Sequence, residues 1–335
     1  MLSKHHKQWG LSLARLREKA RVRAHSHLHE SLFKPGLHTI SYDLRAGAET
    51  RPYGPARERF TGEIMEIGVI VKLTNGGKCF DHAAQFGVKV CQLDCWDVTQ
   101  ATDEVAETVM AESKRTGVRI CAFWAGWPGK HAWDFTNGPN TLGLVPPEYR
   151  RMRIDALKKW ADFTARIGVQ AIVTHCGYIP ENMTDPEYPG VVEAIREIAE
   201  YCNNLGLGFW FETGQETPVV LLRTINRVGT PNLGINLDPA NLILYGKGNP
   251  IDSLDVYGSY VKNVHVKDGF YPTNGDELGK EVPPGEGKVN FPEFIKKLKA
   301  IGYTGELIIE REISGDQQIK DIRKTVDNLE KWLAD

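Results

Sequence analysis

Beyond residue 63 the chain repeats one pattern eight times: a short, mostly apolar run, a polar connection, then a longer stretch whose apolar positions return every three or four residues. The runs are Ile64–Val71, Val88–Cys95, Val118–Ala125, Ala171–His175, Gly208–Glu212, Gly234–Asp238, Val261–Lys267 and Leu307–Glu310. Near-continuous apolarity is what strands buried on both faces require, and strands alternating with helices argue for a parallel sheet. Glu148–Ile167 shows the helical period, with Tyr149, Met152, Leu157, Trp160, Phe163 and Ala165 at recurring positions. In Thr116-Gly117-Val118, Ile167-Gly168-Val169 and Leu205-Gly206-Leu207 a glycine separates a helix end from an apolar run, the place for a left-handed cap. Eight strand-helix units predict closure into a (β/α)8, or TIM, barrel. An open doubly wound sheet is the rival. It usually begins with a glycine-rich phosphate turn, and the first run here is followed only by Asn75-Gly76-Gly77, with no acidic partner about 20 residues later.

Two connections are longer than a plain βα loop, Gly126–Pro147 and Asp268–Asn290. Both fall at the C-terminal mouth of the barrel, where barrel enzymes build their active sites. Trp124, Trp127, Trp133, Phe135, Tyr178, Phe270 and Tyr271 populate these segments, offering flat apolar surface to the C–H face of a sugar, although lid packing explains part of the set equally well.

Residues 1–62 break the pattern. Lys and Arg outnumber Asp and Glu by about two to one there, and six of the ten histidines fall in this stretch. Leu11–Glu30 has the makings of a basic helix, while 34–59 is interrupted by Pro35, Pro52 and Pro55 and reads as irregular. We expect an irregular basic N-terminal extension, loosely packed or disordered, ahead of a barrel domain at 63–335. Anion binding and transit-peptide readings are weaker, and Met65, opening Met-Glu-Ile-Gly-Val-Ile-Val, is a candidate natural start. His25, His27 and His29 alternate but lie outside the predicted core and read as solvated side chains.

Over the whole chain 41 basic residues balance 43 acidic ones, so no basic surface recommends a nucleic acid. No run approaches the roughly 18 apolar residues of a membrane span, and no apolar signal segment opens the chain. A cytoplasmic location follows as an expectation. The six cysteines form no C-x-x-C pair and sit largely in apolar runs, which predicts reduced, buried thiols. The Asn182-Met183-Thr184 sequon is then without consequence.

Four successive apolar runs near the C-terminus each end on a metal-ligating residue type: Glu212, Asp238, His265 and Glu310. Adjacent parallel strands lie about 4.8 Å apart, so groups at the tips of four neighbours can converge above the barrel. A single strand-end carboxylate is readily explained as a helix cap or a solvated group. Four in succession would be expensive to bury without a cation. Three carboxylates and one imidazole suit one divalent ion, Mn2+ first, with Mg2+, Co2+ and Zn2+ compatible. Around this centre, His175 at the tip of the fourth run, Glu216, Asn241, Lys267, Trp124 and Trp127 are candidate substrate contacts. Lys267 stands two residues beyond His265 and so shares its face, either to stabilise an oxyanion or to pair with a carboxylate. Arg311, of opposite parity to Glu310, reads as structural.

The motifs Asn236-Leu237-Asp238-Pro239-Ala240-Asn241, Val264-His265-Val266-Lys267-Asp268, Gly285-Glu286-Gly287, Tyr303-Thr304-Gly305 and Ile308-Ile309-Glu310 resemble the xylose isomerase-like sugar phosphate isomerase/epimerase superfamily, over about residues 64–334. The ketose 3-epimerase branch is the nearest in logic. The resemblance implies a (β/α)8 barrel, a divalent metal, and two glutamates, here Glu212 and Glu310, that ligate it and exchange protons with the substrate. Asp238 and His265 complete the implied ligand set. Two positions depart from that branch: Asn241 stands where it has a histidine, and no arginine stands near Phe270-Tyr271-Pro272. No glycine-rich phosphate nest follows the last two runs.

The expected function is a metal-dependent sugar isomerase or epimerase that abstracts a proton beside a carbonyl and passes through an enediolate. Expulsion of a β-substituent from the same enediolate would make it a keto-glycoside lyase or hydratase. A non-catalytic sugar-binding barrel is the reading from another class, disfavoured because both glutamates persist. An endonuclease-type phosphodiesterase would need more strand-end histidines than His82, His131, His175 and His265. The expected partner is a small sugar or keto-sugar, with no nucleic acid and no membrane, and exposed barrel helices leave homo-oligomerisation open.

Overall fold

The computed structural model describes residues 65–334. The expectations for the basic extension, including His25, His27 and His29, lie outside the described residues. Eight parallel strands close into a ring in the order β1 (Glu66–Lys72), β10 (Glu306–Ile309), β7 (Val261–Val266), β6 (Leu233–Leu237), β5 (Gly208–Glu212), β4 (Ala171–Thr174), β3 (Arg119–Ala125) and β2 (Val90–Cys95). The closed barrel is thus the predicted one, with strand ends within two residues of the expected positions. The helices are α1 (Asp81–Ala84), α2 (Asp103–Thr116), α3 (Pro147–Arg166), α4 (Tyr188–Asn204), α5 (Pro218–Val228), α6 (Pro239–Leu244), α7 (Pro250–Tyr257), α8 (Phe291–Ala300) and α9 (Asp316–Ala334). Gly117, Gly168 and Gly206 all take positive φ behind their helices, the left-handed caps that the sequence anticipates.

The barrel interior is filled by Val90, Cys121, Ala122, Trp124, Ala171, Val173, Trp210 and Ile308. Trp210 fits only because two neighbours lack side chains. A Cβ at Gly208 would lie 2.5 Å from its Nε1, and one at Gly234 would lie 2.6 Å from its Cδ1. Two register irregularities decide what else points inward. On β3 the pairing with β2 skips Cys121, and on β7 the pairing with β6 skips Lys262. A one-residue skip exchanges the faces of everything downstream. It turns Trp124 on β3, and Asn263 and His265 on β7, toward the barrel axis.

The connection after β7, expected as a long loop at the mouth, contains strands of its own. Its ends pair as an antiparallel hairpin of β8 (Asp268–Phe270) and β9 (Lys280–Val282), each too short for its alternation to show in sequence. Asp268 anchors it, its carboxylate accepting the backbone N–H groups of Gly269, Gly285, Gly287 and Val289 at 2.8–3.0 Å. Gly287 is required for that approach, since a Cβ there would meet Asp268 Oδ1 at 2.1 Å. The connection after β3 is anchored by Arg153 of α3, which is fully buried and donates to the carbonyls of Pro128, Lys130 and Gly143. Its guanidinium also lies 4.0 Å over the Trp127 ring.

Asp268→Ala is expected to lower the free energy of unfolding by about 3 kcal/mol, because it strands four amides at once. Urea titration followed by circular dichroism measures this, and a loss under about 0.5 kcal/mol would show that the hairpin holds without its anchor.

Candidate functional site

The tips of β5, β6, β7 and β10 bring Glu212, Asp238, His265 and Glu310 together, with one donor atom of each within 4.8 Å of all the others. His265 Nδ1 lies 2.9 Å from Glu310 Oε2, 3.1 Å from Glu212 Oε1 and 3.8 Å from Asp238 Oδ2. Glu212, Asp238 and His265 are buried, and only Glu310 retains some contact with solvent.

The outward-facing atoms of Glu212, Asp238 and His265 are accounted for. Glu212 Oε2 accepts hydrogen bonds from Trp124 Nε1 at 2.9 Å and Asn236 Nδ2 at 2.8 Å, which leaves Oε1 toward the centre. Asp238 Oδ1 caps α6 by accepting the Asn241 backbone N–H at 2.9 Å. His265 Nε2 lies 2.8 Å from Gln92 Oε1 and 3.0 Å from Asn236 Nδ2, and a proton on Nε2 donated to Gln92 would leave the Nδ1 lone pair to the centre. Gln92 Nε2 and Asn263 Nδ2 both donate to Asn236 Oδ1, at 3.0 and 2.7 Å.

The atoms that face the centre have no fixed hydrogen-bond partner outside it. Asp238 Oδ2, His265 Nδ1 and Glu310 Oε2 are buried without a hydrogen-bond partner among the described residues. Orphaned polar atoms are rare and costly in a folded interior, and three converging on one point fit a cation. The charge agrees. Lys267 Nζ lies 3.5 Å from both Asp238 Oδ2 and Glu310 Oε2, and 2.8 Å from Glu312 Oε1 at the mouth. Three carboxylates against one ammonium leave two negative charges, which a divalent ion on neutral His265 would balance. This oxygen-rich donor set suits Mn2+, Mg2+ or Co2+.

Burial raises the carboxyl of Glu212 above its ordinary value. It acts on Glu310 in the same sense, but Lys267 and His265 outweigh it and hold that group well below the usual carboxylate range. His265 is pushed well above the ordinary histidine value, the pull of Glu212 and Glu310 overcoming burial. Without a metal, a proton on His265 therefore stands where the cation would. His175, whose Nε2 is 3.8 Å from Glu212 Oε1, is held down to about 3 by burial and then by Lys267, and its Nδ1 is buried without a hydrogen-bond partner among the described residues.

The centre opens into a cavity of about 1160 Å3 at the C-terminal mouth. Of the predicted contacts, Trp124, His175 and Asn241 line it together with Glu212 and Glu310, and Lys267 lies beneath, its Nζ 3.4 Å from Asn241 Oδ1. Trp127 and Glu216 are not among its lining residues. Trp127 is buried with Nε1 on Thr174 Oγ1, and Glu216 is buried, its carboxyl pushed up to about 8 by desolvation. Arg311 pairs with Glu281 and Asp321, away from the ligands, the structural use expected of it. Sequence reasoning missed Gln92, Asn236 and Asn263, and also Asp94 and Trp96 on the cavity wall. The signal was a polar residue two positions before Asp238 and before His265, and one inside the second apolar run.

A family model described as xylose isomerase-like TIM barrel matches residues 80–333. The crystal structure of a xylose isomerase domain protein from Planctomyces limnophilus is 34% identical and superposes with a TM-score of 0.76, covering 80% of this chain and 97% of that one. A D-tagatose 3-epimerase-like protein is 22% identical with a TM-score of 0.61, over 81% of this chain and 97% of that one, a likeness of fold. Among curated proteins, an inosose dehydratase of Geobacillus kaustophilus is 26% identical over 202 residues, 51% of this chain and 66% of that protein. The chain spans 63–66% of the length of the first curated relatives it matches.

Two outcomes are expected at this centre. Purified protein should carry one divalent ion per chain by elemental analysis and lose it on Asp238→Ala; a metal content no higher in the wild type than in the variant would sink the assignment. Because a metal must displace the raised proton of His265, apparent affinity should rise with pH and fall as His265 protonates. Titration calorimetry in buffers of different ionisation enthalpy should detect proton release on Mn2+ binding, and no buffer dependence would contradict it.

Proposed function

The chain belongs to the xylose isomerase-like TIM barrel family, and from that membership we propose that it is a sugar isomerase or epimerase that uses one divalent metal. The observation that carries this reading is the pair Glu212 and Glu310. They are the outer members of a four-strand arc, each with one carboxylate oxygen turned to the same point, where Glu310 Oε2 is one of the three orphaned polar atoms.

When bound, the metal would supply Lewis acidity to a substrate carbonyl and the hydroxyl oxygen beside it, acidifying the C–H that joins them. Glu212 and Glu310 approach that carbon from different sides, because they stand on β5 and β10 with β6 and β7 between them. One removes the proton and the electron pair moves into the carbonyl, giving an enediolate. Return of a proton to the same carbon from the other side gives the epimer, and return to the neighbouring carbon gives the isomer. Lys267 faces the carboxylates of Asp238 and Glu310 and offsets their charge. Trp124 and Asn236 fix the rotamer of Glu212, so its free oxygen needs no reorganisation.

A second reading is favoured by the inosose dehydratase likeness and by a cavity larger than the range of about 300–1,000 Å3 that holds a drug-sized ligand. The same proton removal, followed by loss of hydroxide or an alkoxide from the β carbon, makes the reaction an elimination.

Incubation of the Mn2+-loaded protein in D2O with ketoses, inososes and 3-keto-glycosides separates these outcomes. Deuterium at an epimerised or isomerised carbon supports the first reading, and a dehydrated product or released alcohol the second. Glu310→Gln should slow exchange at least a hundredfold. Exchange at the wild-type rate in that variant, or none from wild type with any substrate, would refute proton transfer by this pair.

A further inference from the structure

One wall of the cavity takes no part in the chemistry above. Asp94, near the end of β2, stands across the ring from β6, opposite the middle of the ligand arc. It shares the inward face with Gln92 below it and Trp96 above it, two residues away on either side. Gln92 holds His265, while Asp94 and Trp96 both line the cavity. No described residue gives the Asp94 carboxylate a hydrogen bond; Lys72, its register partner on β1, is the cation that most offsets its charge. It is half-buried on the cavity wall, and burial pushes its carboxyl up to about 6.

Beside this carboxylate stands a wall of rings. The Trp96 centroid lies 5.0 Å from Trp124, 4.9 Å from His131, stacked at 28°, and 6.2 Å from Trp133. Trp124 ties this wall to the metal centre through Glu212. A carboxylate with unfilled lone pairs next to flat apolar faces matches a ring polyol, whose hydroxyls donate outward at the edge while its C–H bonds form an apolar face. The carboxylate repels an anionic substituent, and its two oxygens can each accept from one of two adjacent hydroxyls.

We propose that Asp94 binds a vicinal pair of substrate hydroxyls away from the reacting carbon, with Trp96 and Trp133 covering the adjacent ring face, and thereby selects which polyol the metal centre receives. This rests on the reading of the site as sugar-acting. A site built to receive hydroxyls rejects analogues that lack them, because the acceptor is then left unpaired.

The test uses the full chain loaded with Mn2+, and its own tryptophan fluorescence as the readout. Wild type, Asp94→Asn and Asp94→Ala are titrated with ketohexoses, inososes and 3-keto-glucosides, each beside its monodeoxy analogues. Both variants should bind the parent sugar about ten- to a hundredfold more weakly, the effect of one charged acceptor. For an analogue lacking one of the two hydroxyls, the gap between wild type and variants should be clearly smaller than for the parent sugar. Manganese content and melting temperature should stay at wild-type values, which separates a contact from a folding or metal defect. Equal affinity of variants and wild type for the parent sugar would overturn the proposal, as would equal binding of parent and every deoxy analogue by wild type, or binding of no panel member. Deuterium exchange runs in parallel. Binding that weakens on Asp94 substitution, with no exchange by wild type, refutes the proposed reaction and keeps the hydroxyl site; exchange whose KM ignores the substitution refutes the hydroxyl site alone.

Discussion

Bringing three carboxylates within 4.8 Å of one another, away from water, is the constraint around which the mouth of this barrel is organised. Like charges at that separation and burial oppose folding by several kcal/mol unless something positive is shared among them. The chain answers in two ways. Lys267 lies under the cluster, held by Glu312 from the solvent side. The outward-facing atoms of Glu212, Asp238 and His265 are each given a fixed partner, so repulsion is not relieved by those side chains swinging apart. Trp124, Asn236, Gln92 and the first turn of α6 each serve in that way. Residual negative charge is confined to one point, which is what a cation site requires.

The strands deliver these groups through their two-residue period, but only after two corrections of register. Val261 faces Ile235 of the outer core, and Asn263 faces Asn236 of the interior, although both are odd-numbered residues of one strand. The skip at Lys262 makes that change of face, and the skip at Cys121 does the same for the segment carrying Trp124. A ligand and the residue that steadies another ligand therefore both depend on backbone irregularities. Below them Gly208, Gly234 and Trp210 fill the axis, so the polar tips rest on a packed floor.

This explains what could be read from the residues alone. The eight apolar runs, their glycine caps and the polar residue at the tip of four of them follow from local chemistry, because strand ends and helix starts leave composition signals. Lys267 was also legible, since its parity with His265 lies downstream of the skip. Asn236 and Asn263 were visible as polar intrusions, but their partners were not: Gln92 reaches Asn236 across the barrel over 144 residues of sequence, and His265 over 173. No spacing rule anticipates such pairs. Trp127 and Trp124 look alike in sequence, and only the anchor on Arg153 shows that one packs beneath the loop while the other lines the cavity. The β8–β9 hairpin escaped because three-residue strands carry no period.

The division of labour between the two halves of the ring has a bearing on assembly. All four ligands come from β5, β6, β7 and β10, whereas Gln92 and Trp124, which orient two of them, come from β2 and β3. A nascent C-terminal half would own every donor atom yet have His265 free to turn and Glu212 free to change rotamer. Competent geometry at these four candidate ligands would thus arise only once the ring has shut, and capture of a divalent ion there would report closure. Two separately made half-barrels would report their reunion through the appearance of a tight metal site.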